Sequence, residues 1–330
     1  MRRQILNLPE NAPAEALEGL ALTNPTLIAY DRERGIVTRA VPAHDKVGLV
    51  SGGGSGHEPL HAGFVGHGML DVAVPGAVFA SPTALQVQEG TVAADSGRGV
   101  VQIVKNYTGD VLNFRIAGEL AGDDAVATEV VLVDDDLATQ RDAGPGRRGT
   151  AAVLMVEKIC GASAEAGADL GAVAGLGRRV ARNARTLAFA LSAGTHPGET
   201  VPSFTLDAGE VESGVGIHGE RGTGRVPFAD ADTLTDHLVD PLIAELGVAR
   251  GSSLIAIVNG LGSAYPMEVS VAARAVHHRL ADRGITVARS LAGSYVTSLD
   301  MVGISVTLLP ADADLLPLWD APVRTPALTW

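Results

Sequence analysis

Three short segments carry side chains that could do chemistry at neutral pH, and each adjoins a run of apolar residues. The first is Ser51-Gly52-Gly53-Gly54-Ser55-Gly56-His57-Glu58-Pro59, whose glycines let the backbone close on a bound molecule and aim N–H groups at it. No Gly-Lys-Ser/Thr follows, so it is not a phosphate-binding P-loop. Counted from Gly52, His57 also stands where a dinucleotide fingerprint needs its third glycine. Two readings remain: a ligand site at this segment that uses the polar His57, or a tight turn in which His57 caps a helix. The second segment is Lys105-Asn106-Tyr107-Thr108-Gly109-Asp110, at the end of the strand-like run Val100-Val101-Gln102-Ile103-Val104. Lys105 could orient an anion or a hydroxyl, and Asp110 could act as a general base. Asp110 could equally be the N-cap of a helix starting at Val111. The third is Gly214-Val215-Gly216-Ile217-His218-Gly219-Glu220, which places a histidine in a glycine-rich segment on a short predicted strand. A neutral imidazole there could add to a carbonyl, or could simply be a hydrogen-bonded, partly buried ring.

Other polar clusters carry weaker signals. Asp134-Asp135-Asp136 follows a predicted strand and invites a Mg²⁺ reading, but carboxylates at a strand end also cap helices or face water, and no metal site is assigned. Histidines 61, 67, 196, 237, 277 and 278 lack the spacing of a metal motif and receive no role. The one cysteine, Cys160, lies in an apolar helical pattern and is read as core.

The elements that must position these residues alternate between two hydrophobic periods. Strands are predicted at 47–50, 100–104, 129–133, 187–191, 254–258, 286–290 and 304–308. Helices are predicted at 83–94, 111–120, 150–166, 169–184, 234–246 and 266–283. This is an α/β pattern, in which ligands collect at the carboxyl ends of strands. The Gly/Pro-rich stretch 194–202 suggests a boundary between an N-terminal domain, 1–193, and a C-terminal one, 194–330. A chain of 330 residues is long enough for two such cores. The formal charge of −13 argues against a nucleic-acid partner, because phosphate backbones require clustered Lys and Arg. No apolar run is long enough for a bilayer and no apolar signal core follows the first basic residues, which points to a cytoplasmic protein without membrane contact.

Taken together and in order, these segments resemble the substrate-binding K subunit of the dihydroxyacetone kinase family. The likeness also includes Gly146-Arg147-Arg148-Gly149, Pro202-Ser203-Phe204-Thr205-Leu206, Thr297-Ser298-Leu299-Asp300-Met301 and Leu318-Trp319-Asp320-Ala321-Pro322-Val323, and so spans nearly the whole chain. The resemblance implies two α/β domains with mixed sheets, and a subunit that is commonly a homodimer. It implies that His218 holds dihydroxyacetone or a similar short ketose, such as erythrulose, as a hemiaminal. Gly54, Ser55, Gly56 and His57 would line the substrate, Lys105 and Asp110 would contact its hydroxyls, and Asp110 and His57 would assist proton removal. The nucleotide, as Mg-ADP or Mg-ATP, is expected on a separate L-type subunit, which a phosphotransferase-system M-type subunit could serve. No cofactor is expected on this chain. A non-catalytic ketose sensor or coactivator is the competing reading, and the intact Lys105, Asp110 and His57 favour the kinase.

Overall fold

The computed structural model describes residues 3–139 and 146–330; Met1 and Arg2 of the basic N-terminal stretch lie outside the described residues. The chain forms two compact units that are each discontinuous in sequence. One comprises Gln4–Val133, Val153–Ala181 and Asp314–Trp330; the other is built chiefly of Asp134–Ala152 and Arg182–Ala313. The expected single crossing at 193/194 is therefore corrected to crossings at 133/134, 152/153, 181/182 and 313/314. The segment 187–191, assigned to the N-terminal domain by position, pairs inside the second sheet instead.

In the first unit, helix α1 (Ala12–Thr23) precedes six strands: β1 (Ile28–Asp31), β2 (Ile36–Arg39), β3 (Gly48–Ser55), β4 (Val72–Val78), β5 (Val100–Lys105) and β6 (Thr128–Val133). Their order is β1-β2-β4-β3-β5-β6, with β4, β3, β5 and β6 parallel and the β1–β2–β4 edge antiparallel. β3 and β5 are buried throughout, as expected of central parallel strands with both faces covered. α2 (Ala84–Ala94) starts with Thr83 accepting from the Gln86 N–H, and α3 (Thr108–Asp123) follows β5. Val87, Phe114 and Ala117 of these helices close the core over Val50, Val74 and Val104. α4 (Ala152–Glu165) and α5 (Leu170–Asn183) come next in the chain.

Two local expectations change here. The strand predicted at 47–50 does not stop at Val50: β3 continues through the glycines to Ser55, because Ser51, Gly52 and Gly53 stay in parallel register with Ala73, Val74 and Pro75. β4 was not predicted at all; Pro75 and Gly76 interrupt its apolar pattern and argue against a strand.

The second unit holds β7 (Arg185–Ser192), β8 (Glu210–Ser213), β9 (Gly224–Pro227), β10 (Ser253–Gly260), β11 (Thr286–Gly293) and β12 (Val302–Pro310), ordered β11-β10-β12-β7-β8-β9. Only β10 and β11 pair in parallel, so both sheets are mixed, as expected. α6 (Ala231–Leu246) is N-capped by Asp230 and ends at Gly247; α7 (Pro266–Asp282) opens with proline and with Glu268 accepting from the Tyr265 N–H. Leu238, Leu242, Val269 and Val276 of these helices pack on Ala256, Val258 and Val306.

Residues 314–330 complete the first unit. Trp319 is fully buried, Ala327 donates its N–H to the Gly63 carbonyl at 2.9 Å, and the Lys158 ammonium sits 5.5 Å from the Trp319 ring and 5.0 Å from Trp330. Among the described residues no helix is long and apolar enough to cross a membrane.

Candidate functional site

The register of the first sheet brings β3 and β5 side by side up to the Ser51–Ile103 pair, beyond which β5 ends at Lys105 while β3 runs on to Ser55. Lys105, the last residue of β5, turns its fully buried ammonium toward β3 and donates to the Gly52 carbonyl at 2.8 Å. A methyl group on Gly53, whose φ is +147°, would collide with that ammonium, so the position needs glycine on two counts. Asp110 lies 3.8 Å from Lys105 through Oδ2, and its Oδ1 accepts from the Ser81 hydroxyl. It is not the N-cap: α3 begins at Thr108, with Tyr107 as cap, and Asp110 sits inside the first turn, where the helix dipole favours a carboxylate. Asp110 Oδ2 is buried and has no hydrogen-bond partner among the described residues. A carboxyl oxygen left this way is placed to accept a hydrogen bond from a hydroxyl.

His57 is also fully buried, and its ring stacks on Phe79 at 5.2 Å. No helix starts at His57, so the capping alternative falls away. Ser55 donates its hydroxyl to the Gly76 carbonyl at 2.7 Å, and the Gly56 N–H points to Glu58 at 2.9 Å. Both groups are thus used by the fold itself. Gly53, Gly54 and Ser55 further line a cavity of about 330 Å³, together with Leu17, Leu20 and His61.

Two members of this cluster escaped sequence reasoning. His61 places Nε2 2.7 Å from the Lys105 ammonium and Nδ1 2.6 Å from Oε1 of Glu157 on α4. Burial first, then the charges of Lys105 and His57, hold the His61 ring well below the usual histidine range, so it is neutral. Burial pushes Glu157 up to about 8 against the opposing pull of Lys105, and lowers Lys105 itself. The available signal was Glu157-Lys158 within residues 152–162, a stretch that is otherwise apolar. Cys160, on the same helix, is buried and its thiol is pushed up to about 12, which fits a core residue.

The second unit carries His218 on the connection between β8 and β9, in a bend rather than on the short strand expected. The β8–β9 ladder closes at the Ser213–Gly224 pair, the Gly214 N–H still bonds the Ala188 carbonyl of β7, and residues 215–222 beyond belong to no strand. Side chains hold it instead. Glu220 accepts from the His218 N–H at 2.8 Å and from Arg148 at 2.9 Å; Arg148 also donates to the Gly214 carbonyl at 2.9 Å and to Asp136 at 2.7 Å. Ser203 adds a bond to the Gly219 carbonyl at 2.7 Å. A methyl group on Gly216 would run into the Glu220 carboxylate and the Arg148 guanidinium, which explains that glycine.

The triple-aspartate segment is part of this scaffold. Asp135 takes bonds from Thr150 and Ala152 N–H groups and from the Thr150 and Thr186 hydroxyls, Asp136 holds Arg148, and Asp134 pairs with Arg147. Among the described residues no group of histidines, cysteines and carboxylates is arranged to hold a metal ion.

Residues 18–327 match the Dak1 domain family. The chain is 42% identical to the PEP-dependent dihydroxyacetone kinase, dihydroxyacetone-binding subunit DhaK, of Escherichia coli, across 99% of both chains. Among solved structures, the dihydroxyacetone kinase operon co-activator Dha-DhaQ superposes with a TM-score of 0.90 at 33% identity, covering 98% of each chain. The dihydroxyacetone kinase of C. freundii superposes at 0.88 and 33% identity, with 99% of this chain covering 60% of that one. With a family match over almost its whole length and a relative this similar from end to end, the chain belongs to the dihydroxyacetone kinase family, as a Dak1-domain member of the DhaK type.

Proposed function

We propose that this chain is the substrate-binding subunit of a dihydroxyacetone kinase. In this reading it captures a short ketose on His218 and presents one hydroxyl for phosphorylation by a partner. The observation that carries the reading is the buried Lys105–Asp110 pair, with one carboxylate oxygen left open, in a chain of this family. A protein that only sensed ketose would have no use for a general base held beside an ammonium.

The chemistry follows from the residues. The unprotonated nitrogen of the His218 ring forms a bond to the ketone carbon. The carbonyl π pair becomes an alkoxide that takes up one proton, and the other ring N–H releases one. Glycerol has similar hydroxyls but no carbonyl, so it cannot be captured this way. Lys105 and His57 then bind and orient a terminal hydroxyl, and Asp110 accepts its proton as the bond to phosphorus forms. Fixing the nucleophile in this manner contributes up to about 7–11 kcal/mol at the ideal limit.

The phosphate donor, Mg-ADP recharged by a phosphotransferase-system M-type subunit or exchanging Mg-ATP, belongs in this reading on an L-type partner subunit. The chain itself acts as a homodimer in the cytoplasm. Likeness to a co-activator favours the sensor reading as the second one.

Intact-protein mass spectrometry with dihydroxyacetone, erythrulose and glycerol tests the proposal. A ketone-specific adduct, absent with glycerol and lost in His218→Ala, is expected. An undiminished adduct in that variant removes His218 as anchor, and no adduct with any ketose removes the reading.

A further inference from the structure

Glu157 and His61 stand outside the reaction just described, yet both are almost completely removed from water. A carboxyl group inside an apolar helix is costly unless its contact matters. Its Oε1 hydrogen-bonds to His61, and His61 in turn faces the Lys105 ammonium. We propose that Glu157 and His61 are positioning residues, Glu157 fixing the tautomer of His61 and His61 fixing the Lys105 ammonium beside Asp110. The role in turnover rests on the ketose kinase reading above; the hydrogen-bond assignment does not.

The argument is one of donors and acceptors. An ammonium has three N–H donors and no acceptor, so His61 Nε2, at 2.7 Å, must offer its lone pair. A neutral ring with a bare Nε2 carries its proton on Nδ1, and that proton goes to Glu157 Oε1 at 2.6 Å. Glu157 accepts through Oε1 whether or not its other oxygen is protonated. The second donor of Lys105 goes to the Gly52 carbonyl at 2.8 Å, and the side left over includes Asp110, 3.8 Å away. A lysine on a flexible four-carbon stem is thereby held at one point, next to the position where Gly53 leaves room. Without Glu157, the His61 proton can move to Nε2, and the ring then presents a donor to a donor.

Nitrogen-15 histidine spectra of the full chain read the tautomer directly, and mass-spectrometric titration with dihydroxyacetone reads capture on His218. Wild-type His61 is expected to be neutral with its proton on Nδ1. Glu157→Gln and His61→Gln keep an acceptor in each place and should retain ketose affinity within about threefold. Glu157→Met and His61→Leu remove it and should lose about tenfold, while the adduct still forms at saturating ketose. A purely structural role would lower the melting temperature without this split between conservative and apolar variants. A wild-type His61 that is charged or carries its proton on Nε2 overturns the proposal, and so does equal affinity across the four variants. Should one apolar variant fail to fold, the other pair and the wild-type spectrum still decide. No adduct on the wild-type chain is a different failure, that of the ketose reading itself, and leaves the tautomer measurement to judge the hydrogen bonds.

Discussion

The Lys105 cluster and the His218 connection solve the same problem, holding one reactive group still, by opposite means. Lys105 is fixed from within: it ends a buried central strand, and its donors meet a carbonyl and a neutral ring inside the unit. His218 is fixed by its backbone, because Glu220 and Arg148 hold the chain on either side of a ring that stays partly accessible. An ammonium meant to pair with a carboxylate gains from low dielectric, where its interaction is stronger. A nucleophile that must admit and release a ketose needs its ring open, and rigidity can reach it only through the main chain.

Breaking the buried side of this contrast should cost most. Lys105→Met leaves Asp110 as an unpaired buried charge and should lower unfolding free energy by about 3–5 kcal/mol in denaturant titration. A loss below about 1 kcal/mol would mean the pair contributes little. On the other side, Gly216→Ala should displace the Glu220 carboxylate and remove a charge-assisted bond worth about 1.5–3 kcal/mol. Ketose capture on His218 should weaken with it, whereas the Lys105 cluster keeps its contacts.

A pH series sharpens the comparison. Glu157, pushed up to about 8 by burial, keeps a proton in the native state that the unfolded chain has released above the ordinary glutamate range. The native state therefore binds more protons, and unfolding free energy falls as pH rises toward 8. Below about 6.5 the depressed ring of His61 acts the other way, and from about 8 upward Lys158, lowered to about 8 by burial, does too, so Glu157 is read between pH 6.5 and 8 as a difference from its variant. There the wild type should lose up to about 1.4 kcal/mol per unit relative to Glu157→Gln; parallel profiles would refute a neutral Glu157. The smallest effect belongs to Phe79→Leu, which removes the ring under His57 and should cost about 0.5–1.5 kcal/mol beyond the area lost. It should leave the hydrogen bonds around Glu220 untouched.

The strands and helices with clean periodicity were legible in the sequence, as were the α/β class and the local motifs. Lys105 and Asp110 were found because they sit five residues apart at a strand end, where spacing alone puts them on one edge. His61 and Glu157 were not, because they are 96 residues apart and their contact exists only after α4 packs. β4 was hidden by Pro75 and Gly76, whose usual meaning is a break. The domain boundary failed for a related reason. A glycine- and proline-rich stretch marks a flexible connection, but the points where a chain passes from one core to another carry no compositional sign.

Those four crossings bear on how the molecule is made. The unit that holds Lys105 starts at Gln4, ahead of the bulk of the other unit, yet it also needs 153–181 and 314–330. Trp319 and the backbone bond at Ala327 join it only after 182–313 of the other unit have been made. The earliest unit to start is thus the last to close. A truncation removing these final residues would strike the Lys105 unit rather than the part of the chain translated just before them. The six strands of that unit are all made by Val133, so a nascent chain carries a finished sheet whose covering segments arrive only later.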